Sequence, residues 1–389
     1  MTSLSYDVIV VGGGPVGAAA AIALKQQGFN TALVERMGAP APYDPASYDL
    51  RVYALAPHSA RLLDRLGAWR PIRERRISPY AAMRVWERGP EHALEFDGAA
   101  SGMAELGWIV EHGLVVDALW AQLYSVTRHE RATIQSAEFG ETGSSLHLAD
   151  GRSLRARLVV AADGADSQLR GLAGIDTVSW PYAQRAIVCH VQTSRPHNAT
   201  AWQRFLASGP LAFLPLADGR CSIVWSAEDP MAQELLALDD AAFMARLGEA
   251  FEGALGEVTA TTPRISFPLR LLHAQDYTRP GLVLIGDAAH AIHPLAGQGV
   301  NLGFADVEQL AAVLAEAREA GRDWSAPRTL QRYARARKAA NLEMLAVTDG
   351  LYRAFRLRLP GVKAALGLGM EAVGKFGPLK NWLARQAAV

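Results

Sequence analysis

Residues 6–35 leave few folds open. The apolar run 6–11 reads as a buried strand, and Gly12-Gly13-Gly14-Pro15-Val16-Gly17 follows it with no spacer. An alanine-rich stretch then predicts a helix to about residue 27, with Gly28 placed to cap it. Residues 30–34 predict a second strand, closed by Glu35. Each glycine of this G-x-G-x-x-G has a separate job in a strand–turn–helix–strand unit. Gly12 permits the tight turn, Gly14 lets a pyrophosphate reach backbone N–H groups, and Gly17 lets the helix lie close to the strand, with Val16 inside the turn. Glu35 can accept from both adenosine ribose hydroxyls. An acid there disfavours a 2′-phosphate, so FAD or NAD fits better than NADP. The expected fold class is α/β with a Rossmann-like domain.

A second strand–loop–helix unit lies far along the chain. Residues 282–285 are apolar, Gly286-Asp287 ends the run, a loop rich in Pro and Gly follows, and residues 300–318 carry a helical pattern. A bare loop before a helix N-terminus is a geometry that holds anions. Asp287 is placed to accept hydrogen bonds from sugar-like hydroxyls.

The chain has 389 residues and a net charge of zero, which argues against nucleic acid as a partner. Cys189 and Cys221 sit in apolar runs and read as buried free thiols. The N-terminus lacks the basic start of a signal peptide and no apolar run reaches membrane-spanning length, so a cytoplasmic protein is expected, with any membrane contact peripheral.

Between the two units the texture varies. Residues 36–49 form a long loop. Arg51, beyond it, can clamp a phosphate or make a surface ion pair. Residues 70–76 read as a solvated basic face. Residues 83–88 and 93–96 suggest a hairpin, 107–110 a strand, and 115–126 a helix. Asp163-Gly164 follows the apolar run 158–161. Short aromatic-bearing strands at 186–193, 200–206, 211–215 and 221–225 predict an antiparallel sheet. Trp202, Phe205, Phe213 and Trp225 read as core. His190 and His293 are candidate general bases, though a satisfied structural role suits each better. Residues 324–349 are helical. The tail, 350–389, holds seven Lys/Arg against one acid and has apolar faces at Val362, Leu366, Met370 and Val373. It can lie on an anionic bilayer or dock on its own protein.

Gly12-x-Gly14-x-x-Gly17, Asp163-Gly164 and Gly286-Asp287, in this order, resemble the group A flavoprotein aromatic hydroxylases, the class of p-hydroxybenzoate hydroxylase. Within it, Asp49 to Leu55, Trp202-Gln203-Arg204-Phe205, Gly209 to Leu216 and His290 to Gly303 are most similar to the ubiquinone-biosynthesis FAD-dependent hydroxylases (UbiH/UbiI/UbiF type). The resemblance implies a Rossmann-like FAD-binding domain (1–75, 100–178, 263–345), an inserted antiparallel substrate domain (76–99, 179–262) and a C-terminal helical tail (346–389). It implies FAD, NAD(P)H or another reductant, and O2. The substrate it implies is a hydrophobic, polyprenylated phenol, hydroxylated through a flavin C4a-hydroperoxide. Gly12, Gly14 and Gly17 would hold the pyrophosphate, Glu35 the ribose, and Arg36 would stand by the adenine. Arg51 and Asp163 would lie near the flavin or its nucleotide donor, Asp287 at the ribityl chain, and Pro294 at the flavin face. Gly299, Val300 and Asn301 would offer backbone N–H groups to the flavin edge. Two departures stand out: Trp108 where tyrosine is common, and Glu111-His112 in place of Glu-Asn. The absence of a Trp-x-Trp-x-Ile-Pro segment weakens a halogenase reading. A scaffold that holds FAD without catalysis within a biosynthetic complex is the rival from another class.

Overall fold

In a computed structural model, residues 4–291 and 299–356 are described; side chains at 4, 101, 180–182 and 345–356 are not. Pro294, His293 and the tail beyond 356 lie outside the described residues.

Among the described residues the strands form three sheets. The first has a parallel centre in the order Leu282–Leu284, Ser153–Ala161, Leu4–Val11, Thr31–Glu35, Thr127–Glu130. Such strands are buried on both faces, which is why 8–11 and 158–161 are apolar without alternation. Helices Pro15–Gln26, His112–Trp120 and Gly299–Glu319 pack around this layer, and their apolar residues join one continuous core.

The second sheet is antiparallel in its centre. Ile265–Ala274, Thr177–Thr193, Cys221–Glu228, Gly209–Pro215 and Thr200–Leu206 pair in that order. The expected hairpin, Ala82–Trp86 with Leu94–Asp97, joins its far edge through a parallel pairing with Thr200–Leu206. A small third sheet brings Val52–Leu55 and Ser78–Tyr80 against Gly107–Glu111.

Several expectations change. The helix expected over 115–126 spans His112–Trp120, starting directly after its strand, and a short 3-10 turn, Leu123–Ser125, follows. The last long helix runs Pro327–Arg356, past residue 349, with Pro327 fixing its first turn. The stretch 70–76 is not simply a solvated face. Trp69–Arg75 is helical, and Arg76 turns inward to a two-pronged contact with buried Glu111, at 2.7 and 2.9 Å. Trp202, Phe213 and Trp225 are buried in the second sheet's own core, as expected, while Phe205 packs against separate small clusters that include Leu269, Leu271 and Val85. Cys189 and Cys221 are buried free thiols, and burial pushes their pKa values up to about 11 and about 12.

Candidate active site

The turn after the first strand is built by contacts only glycine allows. Gly12 has φ +105°, and a Cβ on it would stand 2.3 Å from the Ala162 carbonyl oxygen. A Cβ on Gly17 would stand 1.9 Å from the Gly12 carbonyl oxygen. Gly14 differs: nothing lies within 4 Å of where its Cβ would be. Its surroundings open into a cavity of about 430 Å³.

That cavity joins the two strand–loop–helix units. On one side stand Gly14, Val16 and Gly17, with Gly164 beyond them. On another stand Asp287 and the first residues of the long helix, Gly299 and Val300. Arg51, Tyr53 and His112 form a polar flank, and the antiparallel sheet closes the far side with apolar residues.

Asp287 follows Gly286, whose φ of +57° makes the bend. Its carboxylate is accessible from the cleft, yet protein surrounds the cleft, so burial raises its pKa against the pull of His290, Arg51 and Arg270. The turn is held from behind. Buried Asp306 accepts from the Gly286 N–H at 2.9 Å, meets His290 Nε2 at 2.6 Å, and accepts from Arg337 Nε at 2.6 Å. Burial alone would raise the Asp306 pKa, but His290 and Arg337 pull it below the usual carboxylate range. Asn341 extends the network to Arg337 and to the Tyr277 hydroxyl. Sequence reasoning missed Asp306, Arg337 and Asn341. The one signal was a carboxylate on the buried stripe of an apolar helix.

On the polar flank, the Tyr53 hydroxyl meets His112 Nδ1 at 2.6 Å. Burial, then the nearby Arg51 charge, lowers the His112 pKa to about 4, so the imidazole is neutral near pH 7. Among the described residues Arg51 enters no ion pair, and its guanidinium carbon lies 5.5 Å from the Tyr53 ring centre.

Other expected residues stand apart from the cavity wall. Glu35 accepts from the Gly13 and Met37 N–H groups at 2.6 and 2.7 Å, behind the glycine turn. Arg36 follows at the exposed end of that strand. The Asp163 carboxylate is occupied locally, accepting from Ser167 Oγ at 2.5 Å and the Leu169 N–H at 3.1 Å. It organises the start of helix Gln168–Leu172, while its neighbour Gly164 faces the cavity. The Asn301 side chain braces the residues before helix Pro57–Arg65, donating to the Ala54 carbonyl at 2.9 Å and accepting from the Ala56 N–H at 3.1 Å.

The residues fit a flavin dinucleotide. A glycine opens onto the cleft where a pyrophosphate must approach backbone. An acid ends the second strand, another carboxylate stands in the cleft, and a long helix points its N-terminus there. These features define a dinucleotide-binding α/β protein whose ligand cleft is closed by an antiparallel sheet. The chain belongs to the FAD binding domain family, whose pattern matches residues 5–348. It is 38% identical to the 3-demethoxyubiquinol 3-hydroxylase of Escherichia coli (strain K12), an alignment covering 98% of each chain. It is 35% identical to the human mitochondrial ubiquinone biosynthesis monooxygenase COQ6, over 98% of this chain and 92% of that one. The crystal structure of p-nitrophenol 4-monooxygenase PnpA from Pseudomonas putida DLL-E4 superposes with a TM-score of 0.78 at 21% identity, covering 100% of this chain and 99% of that one, a likeness of fold.

Proposed function

We infer that the protein is an FAD-dependent monooxygenase that hydroxylates the aromatic ring of a hydrophobic phenol in ubiquinone biosynthesis, using NAD(P)H and O2. The observation that carries this is a single cavity with two characters: dinucleotide-binding backbone on one side and an apolar sheet face on the other. The ubiquinone-pathway relatives, aligned over nearly the whole chain, support the substrate class.

FAD, when bound, supplies electron transfer and oxygen activation, chemistry that no side chain here can perform. The chain's own residues would do the rest. Gly12, Gly14 and Gly17, with Val16 between them, shape the turn that receives the pyrophosphate. Glu35 would exchange its backbone partners for the ribose hydroxyls, with Arg36 beside the adenine. Asp287 would accept from the ribityl hydroxyls, and Arg51 would balance negative charge across the cleft. Gly299, Val300 and Asn301 would present N–H groups and the positive end of the helix dipole to the flavin edge. Pro294 and Asp163 belong to the same assignment on resemblance alone. Ala186, Val188, Ala212, Leu214 and Val224 would exclude water from the reacting ring.

The same reading divides the chain into a discontinuous FAD-binding domain (1–75, 100–178, 263–345), a substrate domain (76–99, 179–262) and a tail (346–389). It also gives the basic tail a role as a peripheral bilayer contact. No helix among the described residues is long and apolar enough to cross a membrane.

The test is direct. Purified protein should release FAD on denaturation and oxidise NAD(P)H faster when a prenylated phenol is present, with a product heavier by one oxygen atom. Flavin without phenol-dependent oxidation would favour the scaffold reading.

A further inference from the structure

At the end of the cavity's sheet wall stand two polar side chains, Ser222 and its ladder neighbour His190, with few partners among the described residues. Ser222 lines the cavity, is fully buried, and its hydroxyl has no hydrogen-bond partner among the described residues. His190 is 1% exposed, and among the described residues neither ring nitrogen meets a partner in good hydrogen-bond geometry, the Leu50 backbone being the one close polar neighbour that acts on the ring as a hydrogen-bond partner. The two residues sit directly opposite each other in the antiparallel ladder between Thr177–Thr193 and Cys221–Glu228. Opposed residues project from the same face, with Cβ atoms roughly 5 Å apart. That face is the cavity face, because Ala186 and Val188 precede His190 at alternate positions and line the cavity.

An unpaired buried polar group costs stability, and one is uncommon in a native protein. Two side by side, at the end of an otherwise apolar wall, call for a ligand. Around His190 stand Tyr48, edge-on at 5.6 Å between ring centres, then Arg220, Asp218 and Asp49. Burial first, then Arg220, keeps the imidazole neutral near pH 7, outweighing Asp218, Asp49 and the Leu50 backbone. A neutral imidazole carries one donor and one acceptor, and a serine hydroxyl can do either. A phenol has one O–H to give and a lone pair to fill.

We propose that His190 and Ser222 together hold the phenolic oxygen of the substrate, fixing which edge of the ring faces the cofactor. This rests on the phenol-hydroxylase reading and deepens it. His190 accepts the phenol proton's hydrogen bond, and Ser222 donates to the phenolic oxygen. No proton need leave the phenol for the contact to orient the ring.

The probe pair is 2-prenylphenol and prenylbenzene, which differ in the hydroxyl group alone. Binding to the flavin-loaded enzyme is measured by calorimetry, with flavin content checked separately. The wild type should prefer the phenol by about tenfold or more. Ser222→Ala and His190→Phe should each reduce that preference below about threefold while leaving prenylbenzene affinity unchanged. His190→Gln, which keeps a donor and an acceptor, should retain most of it. The melting temperature of His190→Phe should hold or rise, since the variant removes an unsatisfied group; a structural histidine would lower it. Preference that survives both Ser222→Ala and His190→Phe overturns the proposal. Wild type that binds both probes equally overturns it too, and leaves the hydroxylase reading standing. Flavin-loaded wild type that binds neither probe defeats the hydroxylase reading and the proposal with it.

Discussion

Gly14→Val separates cofactor binding from folding. Gly14 has φ −65° and ψ 179°, an extended conformation that valine adopts freely. No heavy atom lies within 4 Å of its Cβ position, so the folded protein meets no clash. Stiffening the unfolded chain gains about 0.4–1 kcal/mol, and losing glycine as the helix N-cap costs about as much. The variant without flavin should therefore melt within a degree or two of wild type. Flavin changes the comparison. At a hundred times its Kd, FAD stabilises the wild type by about 2.7 kcal/mol. With unfolding entropy on the order of 0.8 kcal/mol/K for a chain of this length, that raises Tm by about 3 °C. The valine side chain fills the space a pyrophosphate needs. A hundredfold loss of affinity leaves about 0.4 kcal/mol at the same FAD concentration, a shift under about 1 °C. Thermal melts with and without FAD read both quantities. Gly17→Ala is the contrasting control: its Cβ would stand 1.9 Å from the Gly12 carbonyl oxygen, so it should fail to fold. A Gly14→Val protein with the full wild-type FAD shift would refute the placement of the pyrophosphate.

Asp306→Ala should destabilise the protein by about 3–5 kcal/mol, because it strands Arg337 and the Gly286 N–H in the interior. Urea denaturation measures this, and a loss under about 1 kcal/mol would contradict it. Because the folded-state pKa of Asp306 is depressed, its contribution is present above the unfolded Asp pKa and disappears as pH falls through the folded one. Three imidazoles, His112, His190 and His273, are each lowered to about 4 in the folded state. The unfolded chain then binds more protons between about pH 6.5 and 4, so stability should fall across that window as acid is added. His190→Phe should recover about 1 kcal/mol of the loss at pH 5.5, and an unchanged pH slope would count against a neutral buried His190. For the tail, changing Arg353, Arg356, Arg358 and Lys363 to Gln should weaken sedimentation with anionic liposomes, at about 1 kcal/mol per charge; equal binding by both proteins would exclude the tail as the contact.

The nucleotide half was legible because its physics is local. Gly12, Gly14 and Gly17 act through backbone geometry within six residues, and Asp287 ends a strand that reads directly from its apolar run. The edge strands Thr127–Glu130 and Val258–Thr261 gave little apolar signal because most of their side chains are not buried. The Asp306 network joins residues 286, 290, 306 and 337, which no spacing rule connects. Asp163 shows the limit of motif reading: its carboxylate organises a helix start, and its neighbour Gly164 meets the cavity. His190 was hidden for another reason. A satisfied histidine and an unsatisfied one have the same sequence, and the difference lies in partners supplied by other strands.

The second sheet explains why its ligand face was illegible. Along three strands of that sheet, even-numbered residues line the cavity: 186 and 188; 222 and 224; 212 and 214. Odd-numbered residues, Ile187, Cys189 and Val191, Cys221, Ile223 and Trp225, Leu211 and Phe213, build the second core. Both faces are largely apolar, so the alternation that marks a half-exposed strand is missing, and periodicity cannot tell ligand wall from core. The pleat still separates the consequences of mutation. Enlarging an odd position overpacks a closed core and costs stability. Enlarging an even one fills the cavity, so its effect falls first on which ring is accepted. A one-residue deletion before position 186 would exchange the two sets along the longest strand, placing Ile187 and Cys189 toward the cofactor and His190 in the core.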